Sequence, residues 1–339
     1  MRSFPGRGVM LRCLRWASNW SARVASSFQS ADISVFHEFA PPPNGGGHQF
    51  LRAWIREATA RGWRVEVNTI SKDTQVCLIN SFNFDPERLR LLRRPNCRIV
   101  HRVDGPLASY RGFDDGTDRR IWEMNREFAS ATIFQSRYSL EEHARLGFEY
   151  TNAAVIPNAS DPTYFFPVPR PPLEGRKIRL ISTSWSDNRN KGAEIYAWLD
   201  ENLDWNRYEY VFVGRLPLRP KRIRVEPPAT TERVASLLQQ ADIFITASRN
   251  DPCSNSLIEA LTCGLPAIYL NSGGHPELVG GGGYGFDRPE QIPGLLDRLI
   301  REYRDVVSRV RAPKIGDVVD AYLKVMGLPP RPACRGIYA

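Results

Sequence analysis

Residues 247–264 read ASRNDPCSNSLIEALTCG. Asp242 to Thr246, just before them, is a short apolar run of strand type. The polar stretch after Ala247 carries an Asp-Pro pair and reads as a loop. Apolar residues at helical spacing then predict a helix over Ser256 to Thr262, and Pro266 to Leu270 is the next strand. A helix that starts after such a loop exposes unpaired amides at its head. Ser254, Asn255 and Ser256 would carry them, and a diphosphate can dock there. Asp251 falls in the loop and Glu259 about a turn and a half into the helix. A carboxylate on that helix can accept two hydrogen bonds from a ribose diol. Taken alone, Asp251 is also an ordinary turn residue before Pro252, and Glu259 an ordinary solvated position.

The same alternation of strand and helix extends in both directions. Upstream in the second half, strands are expected at Arg179 to Thr183 and Tyr208 to Val213, with helices at Ala193 to Leu203 and Glu232 to Gln240. Leu295 to Val310 and Val318 to Met326 read as terminal helices. In the first half, strands are expected at Ala31 to Phe36, Trp63 to Val67, Val76 to Ile79, Arg98 to Arg102, Thr132 to Phe134 and Ala154 to Ile156. Helices fall after the Gly-rich break at 44–47, at Ile121 to Ala129 and at Leu140 to Leu146. Alternation of this kind implies parallel sheets covered on both faces. The fold class is therefore α/β, with two doubly wound Rossmann-like domains facing a cleft. The expected divisions are a basic arm (1–30), a first domain (31–157), a Pro-rich linker (158–175), a second domain (176–315) and a final helix and tail (316–339). That last helix is free to pack back on the first domain.

The chain has 339 residues and a formal net charge of +9. The excess suggests an anionic partner. Arg2, Arg7, Arg12, Arg15 and Arg23 precede the first acid, Asp32, and alternate with apolar residues. Such an arm reads as a basic amphipathic segment for an anionic membrane surface, or as a solvated extension. Arginines interrupt every apolar core a cleaved signal would need. No apolar run is long enough to span a bilayer. The six cysteines and five histidines are scattered, so no metal site is expected, and a reducing cytoplasm is the default. Gly45, Gly46 and Gly47, between a strand and a helix, are a further phosphate-site candidate or simply a flexible turn.

Residues 251–277 resemble the signature of retaining nucleotide-sugar glycosyltransferases of the GT-B fold, family 4 type. Asp251 and Glu259 have the family's acid spacing. Ala260, Cys263, Gly264 and Pro266 continue it, followed by Gly273, Gly274, Pro276 and Glu277. Val155, Ile156, Pro157, Asn158 and Asp161 resemble the family's hinge, and Lys191-Gly192 its Lys-Gly pair. Two positions depart from the pattern: Asp251 stands where Glu is usual, and Trp185 where an Arg is usual.

The resemblance implies transfer of a sugar from a nucleotide-sugar donor to a glycan or lipid-linked acceptor, with retention and without a bound metal or other cofactor. The expected diphosphate ligands are Lys191, Arg189, Gly46, Gly47 and the amides of Ser254, Asn255 and Ser256. Glu259 would hold the ribose. Asp251, His101 and Asp104 are the catalytic candidates, with Tyr110 and Arg111 lining the acceptor side. Such an enzyme would work in the cytoplasm, peripherally at the inner membrane face, in cell-surface polysaccharide or glycolipid synthesis. The competing readings are a GT-B epimerase, a catalytically silent nucleotide- or glycan-binding relative and, least favoured, a nucleic-acid-binding protein. The basic clusters Arg90, Arg93 and Arg94, and Arg219, Lys221, Arg222 and Arg224, that would serve the last are expected in surface loops.

Overall fold

A computed structural model describes residues 30–40 and 46–331. The basic arm up to residue 29, Gly45 and the tail beyond 331 lie outside the described residues. The first domain runs β1 (Ile33–Phe36), α1 (Gly46–Ala60), β2 (Val65–Val67), β3 (Val76–Asn80), α2 (Pro86–Leu92), β4 (Arg98–Val103), α3 (Leu107–Arg111), α4 (Thr117–Phe128), β5 (Ala131–Phe134), α5 (Arg137–Arg145) and β6 (Ala153–Val155). The second runs β7 (Ile178–Ser184), α6 (Ala193–Asn202), β8 (Tyr208–Gly214), β9 (Arg224–Glu226), α7 (Thr231–Gln240), β10 (Ile243–Thr246), α8 (Asn255–Thr262), β11 (Ala267–Leu270), α9 (His275–Val279), β12 (Gly283–Phe286), α10 (Ile292–Arg301), α11 (Tyr303–Arg309) and α12 (Ile315–Met326).

Each domain is built on a six-stranded sheet, ordered β2-β1-β3-β4-β5-β6 in the first and β12-β11-β10-β7-β8-β9 in the second. Every pairing is parallel. Strands buried on both faces need apolar residues at nearly every position, as in Val76–Ile79 and Ile243–Ile245. The winding of the second sheet reverses between β7 and β10, which are hydrogen-bonded neighbours. Loops leaving the carboxyl ends of two such strands diverge and open a crevice.

The final helix belongs to the first domain's core. Tyr322 of α12 packs 5.9 Å from Phe50 and 5.8 Å from Trp54, ring centre to ring centre. Leu323, Val319 and Met326 are buried in the same cluster as Ile33, Leu51 and Val100.

Three differences from the sequence reading have physical causes. Leu295 to Val310 is not one helix, because it breaks at Glu302 into α10 and α11. The Gly-rich segment 280–286 supplies the edge strand β12, which glycine's low strand propensity hides. Arg90 lies in α2, capped by the Asp85 side chain, rather than in a loop.

Leu323→Ala should lower the stability of the first domain by about 2–5 kcal/mol, the usual cost of emptying a buried leucine site. Urea unfolding followed by the fluorescence of Trp54 and Trp63 reads it. An unchanged first-domain transition would mean that α12 does not hold that core.

Candidate active site

The loops that leave β7 and β10 meet at the reversal point. Lys191 comes from the first and Asp251 from the second. Their Nζ and Oδ2 atoms form an ion pair of 2.8 Å, with side chains only 18% and 10% exposed. The Tyr110 ring, from α3 of the other domain, lies 5.1 Å from the ammonium. Burial by itself would lower the Lys191 pKa. The Asp251 carboxylate and Tyr110 outweigh it, so the ammonium stays charged above the ordinary lysine range. Burial likewise works to raise the Asp251 pKa, but Lys191 holds it below the ordinary carboxylate value.

Two glycines make this approach possible. Gly192 has a φ of 75° and its missing Cβ would collide with the Ala247 carbonyl. Gly273, at a φ of 65°, would strike the backbone of Asp251 in the same way. The Lys-Gly and Gly-Gly pairs in the sequence are thus packing requirements around the two charged residues.

Asp251 and Lys191 line a cavity of about 280 Å³. Ser254, Asn255, Ser256 and Glu259 share it. Ser254 caps α8, its Oγ accepting the Leu257 amide at 3.4 Å. The first-turn amides of Asn255 and Ser256 have no acceptor within the helix. Glu259 also lines a second cavity of about 330 Å³ toward α1, bordered by Arg52, Arg56 and Asp161. Burial alone pushes the Glu259 carboxyl up to about 8. The donor-side candidates Lys191, Asp251, Ser254, Asn255, Ser256 and Glu259 are therefore gathered in one place.

Other candidates are not. Arg189 is exposed and borders neither cavity. Gly46 and Gly47 open α1, but Gln49 is the first residue there to reach the cavities, and Gly47 faces open space. His101 sits in the middle of β4 and is fully buried. Its Nε2 donates to the Ser81 carbonyl at 2.9 Å and its Nδ1 is 3.2 Å from Asn125 Nδ2. Burial lowers its pKa to about 4, so it is a neutral core histidine rather than a cleft residue. Asp104 is engaged by Arg102 (2.9 Å) and by the Gln135 amide. Arg111 pairs with Asp115, whereas Tyr110 lines the donor cavity. Ser136 is the cap of α5.

Sequence reasoning missed Gln49 and Arg215. Trp185 lines the cavity where the family pattern has a cation, and the Arg215 guanidinium lies 4.9 Å over its indole. The Gly214-Arg215 step at the end of β8 was the available signal, because the strand end itself was anticipated. Among the described residues, no group of three or more His, Cys, Asp or Glu side chains could hold a metal ion. Nor is any described helix long and apolar enough to cross a membrane.

Residues 201–305, which span α7, β10, α8 and the acid pair, match the family model described as Glycosyl transferases group 1. About a third of the chain therefore matches that family model, on a two-domain fold of GT-B type. Solved structures agree on that fold. Sucrose-phosphate synthase from Thermosynechococcus elongatus is 14% identical, with a TM-score of 0.68 over 87% of this chain and 98% of its own. Anabaena HepE in complex with UDP-glucose is 15% identical, with a TM-score of 0.64 over 87% of this chain and 99% of its own. The catalytic domain of Starch Synthase IV from Arabidopsis thaliana, bound to ADP and acarbose, is 12% identical, with a TM-score of 0.65 over 88% and 99%. No curated protein matches the sequence.

The raised Glu259 pKa has a direct consequence for stability. Between about pH 4.5, where an unfolded Glu titrates, and about 8, the folded state holds the extra proton. Stability therefore falls as pH rises through that window. Glu259→Gln should remove this part of the slope, gaining in melting temperature relative to the parent at pH 8 but not at pH 4. Parallel slopes for the two proteins would refute the assignment.

Proposed function

We propose that the chain transfers a glycosyl group from a nucleoside diphosphate sugar to a glycan or lipid-linked acceptor, with retention of configuration at the anomeric carbon. The observation that carries this is the Lys191–Asp251 pair sharing one cavity with Glu259 and the head of α8. HepE in complex with UDP-glucose and the starch synthase domain bound to ADP support a nucleoside diphosphate as the ligand class.

In this reading the diphosphate lies between the Lys191 ammonium and the amides of Asn255 and Ser256, and the ribose lies against Glu259. Breakage of the bond from C1 to the phosphate oxygen leaves a new negative charge on the diphosphate. A preorganised cation and fixed amides stabilise that charge without reorganising at the moment of reaction. Arg215 adds a cation beside Trp185. Arriving phosphate oxygens compete with Asp251 for the ammonium, which frees that carboxylate to accept a sugar hydroxyl. The acceptor oxygen then attacks C1 on the face the diphosphate leaves, and its proton passes to the departing phosphate oxygen. No protein nucleophile and no metal-bound step is required. Asp104, fixed by Arg102 and Gln135, stands on the acceptor side as a charged positioning group. The basic residues before Asp32 suit an anionic membrane surface, where a lipid-linked acceptor would be met.

Titration calorimetry with UDP, ADP, GDP and their sugars tests the reading. One nucleoside diphosphate should bind, and Lys191→Ala should weaken it and inorganic pyrophosphate alike, by tenfold or more. Glu259→Ala should weaken the nucleotide but spare pyrophosphate. If no nucleotide or nucleotide sugar binds at millimolar concentration, the function is wrong; if Glu259→Ala binds normally, the ribose contact is wrong.

A further inference from the structure

The strands β7 and β8 that deliver Ser184 and Gly214 to the donor cavity also border a second, larger space near their amino ends. It measures about 680 Å³ and lies between the sheet face and α7. Lys177, Arg179, Arg222 and Arg224 line it, with Glu209 as the one acid and Trp205 at its border. Register explains the grouping. Arg179 is level with Glu209, and Val211 is level with Arg224. Alternate residues of a strand share a face, so Glu209 and Val211 project to the same side and Arg224, level with Val211, joins them, while Arg222 lies in the bend that leads into β9.

The carboxylates nearby do not match the cations. Asp242 answers two arginines at once, Arg176 at 2.7 Å and Arg179 at 2.9 Å. Glu226 is likewise shared, by Arg224 at 3.4 Å and Arg233 at 3.0 Å. Lys177 Nζ donates to a backbone carbonyl, that of Trp205, at 2.6 Å, so its charge is not neutralised there. Arg222 forms no close ion pair with the described residues, and its charge acts on the neighbouring Asp200 carboxylate. The loop that presents it is nonetheless fixed. The buried Asp200 carboxylate accepts the backbone amides of Lys221, Arg222 and Ile223 at 2.7, 2.8 and 2.7 Å. Those bonds help hold the Asp200 pKa below the ordinary value although burial opposes them. A surplus of cations on a rigid frame, with an indole at the border, suits a doubly charged phosphate better than water.

We infer that this space is a binding site for a phosphate monoester, separate from the donor cleft. Guanidinium groups bind phosphate through paired N–H donors, and the indole face gives an attached sugar or glycerol an apolar surface. The monoester belongs either to a soluble sugar phosphate or to an anionic lipid headgroup, and the two are distinguished by experiment.

Titration of the full-length protein with glucose 6-phosphate, and co-sedimentation with phosphatidylcholine vesicles containing phosphatidic acid, whose headgroup is a phosphate monoester, are the two arms. Arg222→Glu/Arg224→Glu should weaken one of the probes tenfold or more. Arg301→Glu, a reversal at an exposed position on α10, should not. Lys191→Ala should leave the affected probe bound, because it acts only in the donor cleft. Retained UDP binding by the double variant confirms its fold. Loss in the first arm assigns a soluble sugar phosphate, and loss in the second a lipid headgroup. The inference fails if neither probe binds the parent protein, if both bind the double variant as well as the parent, or if Lys191→Ala alone abolishes binding of glucose 6-phosphate.

Discussion

The pair between Lys191 and Asp251 sets the geometry of the second domain's reactive end. Taking two charges out of water costs several kcal/mol each, and that is recovered only where they are close and well oriented. The loops after β7 and β10 must therefore hold them at 2.8 Å. This needs the left-handed turn at Gly192 and the tight approach of Gly273, since a side chain at either would push one loop away. Tyr110 completes the environment from the opposite domain. A buried pair of this kind is a poor investment in stability compared with apolar residues of the same size. What it does is keep the buried Lys191 ammonium charged.

The opening between the domains is fixed by a second network. Arg102, fully buried, donates to Asn80, Asp104 and Asn158. Asn158 passes the connection across the hinge, donating to Gln135 Oε1 at 2.8 Å and to Asn255 Oδ1 at 3.0 Å. Asn255 is the first residue of α8, so the guanidinium charge of one domain is linked through two amides to the donor helix of the other. Farther out, Glu277 accepts the amides of Arg137 and Tyr138 at 2.8 Å each, which supplies α5 with an anionic cap from across the cleft. Asn190 and Asn250 donate to carbonyls of α3 from the same side. In these outer contacts a side chain of the second domain meets a backbone group of a first-domain helix, so the second domain satisfies helix ends of the first.

Much of the fold was legible because parallel sheets write themselves as apolar runs at regular intervals. Each strand expected from the sequence lies within about two residues of an observed one. What escaped was short or glycine-rich: β9, β12, α3 and α9 carry too few apolar positions to show a period. Within the candidate site, Asp251, Glu259 and the head of α8, which the family resemblance singled out, share one cavity because one loop and one helix hold all three. His101 failed for a reason of depth. Its segment has the right strand, but β4 runs on to Val103, so position 101 is interior and its ring serves Ser81 and Asn125. Arg189 failed because the short helical turn at Arg189–Lys191 directs only the lysine to the cavity. Tyr110, Gln49 and Arg215 come from three separate elements, and no local pattern relates them.

The same reasoning divides the roles of the basic residues. A formal excess of positive charge invites a polyanion, and a nucleic acid would need that charge laid out as a stripe with exposed aromatic rings. Here the arginines of the folded body are mostly spoken for. Arg90 is held by Glu127 and Glu87, Arg61 by Glu57 and Asp320, and Arg102 lies in the core. The cations that border the two cavities are local: Lys191, paired with Asp251, in the cleft, and Lys177, Arg179, Arg222 and Arg224 at the amino ends of β7 to β9. These are two separate groups near opposite ends of shared strands, and in the cleft Asp251 offsets the lysine. They offer a long, regularly charged backbone no continuous track to follow.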